Sequence, residues 1–513
     1  MRTEQKDNIK NSIGRLIFVL LILALQIWWI AAFFLELNKY SPVLSAVTNL
    51  LAVLITLAIY GQWQNAAFKM TWMIFIGLFP IFGILIYIIF GDKQASKRER
   101  KRFNSIHEQM MKEIRHDNTV LTEVEEADYG IANQFRYLIE QEGYPLHSNV
   151  EVKYFKDASD GLEAQLKCLK EAKYYIFMEY HAIELSTSFN RILDILKEKV
   201  KEGVEVRILY DDVGSIGFLN PKFCKKMEEL GIKCRVFNPV VPVAKIFMNN
   251  RDHRKITVID GIVGFTGGYN LADEYFNVTH PYGYWKDTGI ELHGGAVLNL
   301  LDIFLEMWNG FSKETEDYKK YFVQSTEPGN GDTYLLPYAD SPLDESFVGE
   351  NVYLNLIKNA KHYVYITTPY LIISDEMNRE LTMAAQRGVD VRIVTPGIPD
   401  KKVIYRTTRS YYANLVDGGV RIFEYTPGFI HAKQVIADDE IATIGTINFD
   451  FRSLYHHFEN GVLMYKGNVI QDMRRDFETI FSESEEVTTQ YKGKRFAMLR
   501  GLDLLLRLIA PLL

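Results

Sequence analysis

The chain has 513 residues, a formal charge of −7, 48% hydrophobic residues and 24% charged ones. That is room for two globular domains with additions, in the composition of a folded chain and without the basic excess of a general nucleic-acid binder. Three scattered cysteines, Cys168, Cys224 and Cys234, form neither a disulfide framework nor a metal cluster and read as buried thiols.

The first elements are apolar. Residues 16–35, LIFVLLILALQIWWIAAFFL, carry only Gln26 as a strongly polar residue, and residues 71–90, TWMIFIGLFPIFGILIYIIF, carry no charge. Each is long enough to cross a hydrocarbon core of about 30 Å. Residues 42–60 are also uncharged, with Ser45, Thr48, Asn49 and Thr56 along them. A membrane region over 1–92 with three helices is therefore expected. A cleaved signal peptide fits less well, because the first apolar run is long and no small-residue cleavage site follows it. Lys93, Lys97, Arg98, Arg100, Lys101 and Arg102 follow the third segment and favour a cytosolic body. Arg2, Lys6, Lys10 and Arg15 at the other end pull against that orientation.

A basic helical linker over 93–150 leads to a region that alternates apolar strand-like runs with amphipathic helices, the α/β pattern. It does so twice, over 151–312 and 341–490, with a polar connector at 313–340. AKYYIFMEYHAI at 172–183 is answered by AKHYVYITTPYLI at 360–372, and GVEVRILYDD at 203–212 by GVDVRIVTPG at 388–397. LGIKCRVFNP at 230–239 is answered by GGVRIFEYTP at 418–427. Four matched segments in one order, counting the motif below, point to an internal duplication far longer in period than a solenoid repeat. The expected fold is thus two similar α/β domains facing each other.

The fourth pair carries the chemistry. His253, Lys255, Asp260, Gly267 and Asn270 recur with the same spacing as His431, Lys433, Asp438, Gly445 and Asn448. Residues two apart on a strand share a face, so each histidine projects with its lysine, and a lysine is rarely buried without a partner. Two histidines, two lysines and two asparagines from facing halves would suit a phosphodiester, the asparagine amides donating to it. One such pattern alone would fit a satisfied histidine beside a surface lysine; a second copy in register does not. The motif aspartates point to the opposite face from the lysines and read as anchors of the turn.

The two motifs resemble the paired HKD motifs of the phospholipase D superfamily. LYDDVGS, YWKDTGIELHG, TPYLIISDE and GTINFDFRS, with the terminal RLIAPLL, resemble bacterial cardiolipin synthases within it. The resemblance covers about residues 70–513 of the chain. It implies two phospholipase D-type domains in the bacterial cytoplasmic membrane, acting on phosphatidylglycerol to give cardiolipin and glycerol through a phosphohistidine, with no cofactor, metal or nucleic acid. His253 would be the nucleophile and His431 the acid and then the base, with His253, Lys255, Asp260, His431, Lys433 and Asp438 as the catalytic motif. Lys255, Lys433, Asn270 and Asn448 would hold the phosphate. Members of the superfamily carry an acid some thirty residues past each motif that orients a histidine. Asp287 and Glu459 stand at those places, Asp287 being the expected partner of His253. A hydrolase, a transferase with another acceptor and a catalytically silent membrane scaffold remain as alternatives.

Asp211 and Asp212 allow a metal-ligand or a hydrogen-bonding reading, the latter favoured because the other half has VTPG there. Tyr180, His181 and Tyr370 end the first strand of each half and either line a cleft or pack. The tail at 491–513 has Leu499, Leu502, Leu506 and Ile509 at helical spacing, suited to lying against the membrane or against the body.

Overall fold

The computed structural model describes residues 41–512, apart from short stretches at 63, 92–96, 113–116, 221, 240–249, 313–315, 323–330, 344–345 and 495–500, together with scattered positions between 17 and 39. Residues 24–33 are helical, and the rest of the first expected span lies largely outside the described residues. Helix α1, Pro42–Tyr60, is capped by the Ser41 side chain and begins with Pro42, which fits the first turn because its missing N–H has no partner there. Among the described residues it is the one helix long and apolar enough to span a bilayer alone.

The expected span at 71–90 is divided. Helix α2, Ala66–Leu78, stops at Phe79, and α3, Pro80–Ile86, restarts at Pro80. Proline cannot donate the hydrogen bond that would carry α2 onward, and its ring clashes with the preceding turn. The chain then continues as a wider turn over Tyr87–Gly91. Of the two expected spans that the structure describes, the one with more polar residues is the uninterrupted helix.

The body is built on one mixed sheet. The strands are β1 His147–Phe155, β2 Tyr175–Tyr180, β3 Glu205–Asp211, β4 Lys233–Phe237, β5 Lys255–Ile259, β6 Val263–Gly267 and β7 Gly289–His293. Then come β8 Thr333–Asp340, β9 Tyr363–Thr367, β10 Asp390–Pro396, β11 Arg421–Tyr425, β12 Gln434–Ala437, β13 Ile441–Gly445, β14 Glu459–Tyr465 and β15 Ser484–Glu486. Their order is β15-β11-β10-β9-β12-β13-β14-β8-β1-β7-β6-β5-β2-β3-β4.

Within that order β7-β6-β5-β2-β3-β4 and β14-β13-β12-β9-β10-β11 are the same arrangement run outward from the middle. Parallel pairs join β2, β3 and β4 in one half and β9, β10 and β11 in the other, and the remaining pairs are antiparallel. The halves meet through β1 and β8, which pair antiparallel with each other. They are thus joined edge to edge in one sheet, where the sequence reading had them as separate domains facing each other. Strands β2, β5, β9 and β12 are buried along their whole length, as expected for a sheet covered on both faces. Helix α4, Val297–Gly310, lies over the join with every residue except Leu298 buried.

Candidate active site

In each half the strand that carries the motif is short, and the histidine stands just before it. What holds the histidine is a contact with the opposite half. His253 N–H donates to the Phe458 carbonyl at 2.8 Å, and Phe458 N–H donates to the Arg251 carbonyl at 2.8 Å. His431 N–H donates to the Lys286 carbonyl at 2.7 Å, where Gly428–Ile430 runs parallel to Tyr284–Lys286. Each histidine is therefore stitched beside the residue that precedes the other half's acid.

The side chains follow. His253 Nδ1 lies 2.9 Å from both carboxylate oxygens of Glu459, and His431 Nδ1 lies 2.7 Å from Asp287 Oδ2. The acids at the expected places are the ones that meet the histidines, but the pairing is crossed: His253 meets Glu459, not Asp287. An ionised carboxylate only accepts, so Nδ1 carries the proton in each ring and Nε2 keeps its lone pair. Glu459 is held in turn by the Thr446 hydroxyl, and Asp287 by the Thr288 N–H at 3.0 Å.

Lys255 and Lys433 are buried, and each ammonium donates to the carbonyl of its own motif histidine. Lys433 Nζ also sits 2.7 Å from His431 Nδ1. Because that nitrogen's proton points at Asp287, this approach is a charge contact and not a second hydrogen bond. Burial pulls the ammonium of Lys255 down to about 8 and that of Lys433 to about 7. Burial and then the neighbouring lysines push His253 well below the ordinary imidazole range, and burial and Lys433 bring His431 to about 3 against the pull of Asp287. Burial raises Asp287, but His431 and Lys433 outweigh it and hold the carboxyl below its usual range. The two imidazoles are thus packed among two buried lysines and two buried acids.

Both histidines and both asparagines line a cavity of about 610 Å³. Asn270 Oδ1 accepts from Ala182 N–H at 3.1 Å while its amide donates to the Tyr275 hydroxyl at 2.9 Å. Asn448 Oδ1 is buried without a hydrogen-bond partner. The two walls differ. Around His431 stand Trp285, Tyr275 and Phe429, with ring centres 5.2, 5.4 and 5.8 Å away. Around His253 stand His181 and His457, at 4.9 and 5.5 Å, and the lining includes Arg251 and Arg452. The sequence repeat predicts none of this asymmetry. His457, two residues before Glu459, was legible as a neighbour of the acid but was not singled out.

The motif aspartates stand elsewhere. Asp260 accepts from the N–H groups of Lys173, Tyr174 and Tyr175 at 2.7, 2.8 and 2.7 Å. Asp438 accepts from those of Lys361, His362 and Tyr363 at 2.6, 2.8 and 2.8 Å. Both have positive φ, 54° and 57°, in the turn at the far end of the strand from the histidine. Counting them with the catalytic motif is corrected by this geometry: their oxygens anchor the start of β2 and β9. Asp211 likewise bonds Gly214 and Asp252 N–H and pairs with Arg251 at 3.0 Å, steadying the approach to His253. His181 and Tyr370 line the cavity, whereas Tyr180 is buried against Thr257 and Gln165.

Among the described residues two trios could hold a cation by proximity, His253–His457–Glu459 and His107–Asp302–Glu306. In the first, Glu459 is already committed to His253 and Thr446, and in the second His107 pairs with Glu306.

Residues 166–286 and 353–481 match the family described as "Cardiolipin synthase, PLD-like domain", one stretch for each motif. The chain is 33% identical over 509 residues to the cardiolipin synthase of Alkalihalophilus pseudofirmus, covering 98% of this chain and all of that one. It belongs to the cardiolipin synthase family. Cardiolipin synthase 1 of Staphylococcus aureus is 32% identical over 91% of this chain and 96% of its own length. An uncharacterized protein of Streptococcus mutans is 42% identical over 86% and 96%. Among solved structures, the phosphatidylserine synthase of Haemophilus influenzae shares the fold, with a TM-score of 0.55 at 14% identity over 74% of this chain and all of that one. In this cardiolipin synthase-family chain the two matched stretches carry His253, His431 and Glu459, and Asp287 stands one residue past the first.

Proposed function

We propose that this chain is a membrane cardiolipin synthase that moves a phosphatidyl group from one phosphatidylglycerol to another, releasing glycerol. The observation that carries the reading is the pair of histidines, each held by an acid of the opposite half, on one cavity that Asn270 and Asn448 also line. Neither half is a site alone.

His253, its Nδ1–H held by Glu459, presents Nε2 to the phosphorus and forms the N–P bond. The P–O bond to glycerol breaks as His431 gives that oxygen a proton. The glycerol hydroxyl of a second phosphatidylglycerol then loses its proton to His431 and attacks the phosphorus, and His253 leaves. One phosphodiester is exchanged for another, so no energy source is consumed. An empty site keeps the imidazoles neutral; a bound phosphodiester anion favours the protonated form of His431 and the charged lysines. Lys255 and Lys433, with Asn270 and Asn448, would offset charge on the non-bridging oxygens.

Docking of the membrane region supports a lipid substrate. Helix α5, Phe451–Tyr455, follows the Asn448 turn directly. Asn65, the cap of α2, donates to the Tyr455 hydroxyl at 3.0 Å, and the Phe68 ring lies 4.8 Å from that of His456. The catalytic cavity thus sits beside the helices that would lie in the bilayer.

Purified protein given phosphatidylglycerol should yield cardiolipin and glycerol in equal amounts. Release of phosphatidic acid without cardiolipin would instead make the protein a hydrolase.

A further inference from the structure

The end of the chain reaches the catalytic cavity. Helix α6, Gly501–Ile509, runs into a tight turn at Ala510–Leu512, and Ala510 is part of the cavity lining beside Phe451 and Ile404. The same segment is tied to the membrane region, because the Thr71 hydroxyl of α2 donates to the Leu508 carbonyl at 2.6 Å. One short stretch therefore touches the cavity and α2 together.

Its polarity is inverted relative to a helix that faces water. Asp503 pairs with Arg406 at 2.6 Å, and the Arg507 guanidinium stacks 4.6 Å from the Tyr411 ring, so both charges turn to the body. Leu504, Leu505, Ile509 and Leu512 are 49%, 58%, 40% and 38% exposed. A surface helix normally does the reverse, burying its apolar stripe. Residues 504, 505 and 509 lie on one side of the helix, and Leu512 is exposed on the turn that follows. Val403, next in the chain to Ile404 of the cavity wall, is exposed as well. The face is linked through Thr71 to α2, which itself exposes Met70, Ile74 and Leu78.

We propose that α6 and its terminal turn form the bilayer-side wall of the catalytic cavity, and that the acyl chains of the bound phosphatidyl group leave the site along Leu504, Leu505, Ile509 and Leu512. The occupant of this face is lipid. The cavity volume accommodates phosphate and glycerol, not four acyl chains, so the chains need an apolar path out. This rests on the reading that the substrate is a diacyl lipid.

The test uses the full chain in bilayer nanodiscs and compares Leu504→Asp/Leu505→Asp with the wild type on two donors, long-chain phosphatidylglycerol and monomeric dihexanoyl phosphatidylglycerol. The double variant should raise the KM for the long-chain lipid about tenfold or more, with the short-chain donor turned over as by wild type. Leu504→Phe/Leu505→Phe, which keeps the face apolar, should restore the long-chain KM. Equal loss on both donors, or no change on either, overturns the proposal. A variant that dissociates from an oligomer with its donor ratio unchanged assigns the face to a second copy of the chain and also overturns it. Wild type inactive on both donors would instead count against the phosphatidyl-transfer reading.

Discussion

His253 and Glu459 are 206 positions apart in the chain, and the imidazole Nδ1 lies 2.9 Å from both oxygens of that carboxylate. The reciprocal pair, His431 with Asp287, is closed at 2.7 Å. Under the proposed roles of the histidines, the crossing ties each acid to a different step. Glu459→Gln should slow formation of the phosphatidyl-enzyme, and Asp287→Asn should slow protonation of the leaving glycerol, each by about a thousandfold in kcat.

A leaving group that needs no proton separates the two. With a phosphatidyl nitrophenyl ester as donor, Asp287→Asn and His431→Ala should recover nitrophenol release, and His431→Ala should accumulate the phosphatidyl group on His253. Glu459→Gln and His253→Ala should stay slow. Rescue of the latter two in place of the former would reverse the roles of the histidines.

Asp260 and Asp438 give their oxygens to backbone N–H groups at the start of β2 and β9. Removing Asp260 leaves the buried Tyr175 N–H unpaired and takes away a residue type that tolerates positive φ. Asp260→Ala should destabilise the fold by about 2–4 kcal/mol in denaturant unfolding. The fraction that stays folded should retain near-normal kcat. A thousandfold fall in kcat with unchanged stability would return these residues to the chemistry.

The depressed ammonium groups make stability depend on pH. Lys433 at about 7 and Lys255 at about 8 compare with an ordinary value of 10.5. Between those folded values and 10.5 the unfolded chain binds more protons than the folded one, so stability rises with pH over that window. A bound phosphodiester lifts both groups and should flatten the slope. Melting temperatures from about pH 7 to 9.5, with and without glycerophosphoglycerol, report it. Lys433→Met should lose part of the slope, and an equally steep profile in that variant would remove Lys433 as its source.

Phe68 packs on His456 next to α5 and is 7% exposed. Phe68→Ala should cost about 3 kcal/mol, read as a lower melting temperature, with activity on vesicle lipid falling further than activity on the monomeric short-chain donor. Equal losses on the two would mean that the contact supports the fold without aligning the site to the bilayer.

The repeat, the strand alternation and the positions of the two histidines, two lysines, two asparagines and two acids were legible in the sequence, because spacing alone carries face and register. His253 with Lys255 and His431 with Lys433 each sit two apart, and the duplicate in register made coincidence untenable. The anchoring role of Asp260 and Asp438 followed from the same parity. Which acid meets which histidine was not legible. Within one half Asp287 follows His253 at the matching distance, and nothing local distinguishes a pairing inside the half from one across it. That was decided by hydrogen bonds between distant segments, His253 N–H to Phe458 and His431 N–H to Lys286. The same holds for the unlike walls of the cavity and for Ala510 in its lining. Local pattern determines which side chains share a face, because that depends on dihedral periodicity; the partner each face meets depends on contacts hundreds of residues apart, and only the folded chain brings those together.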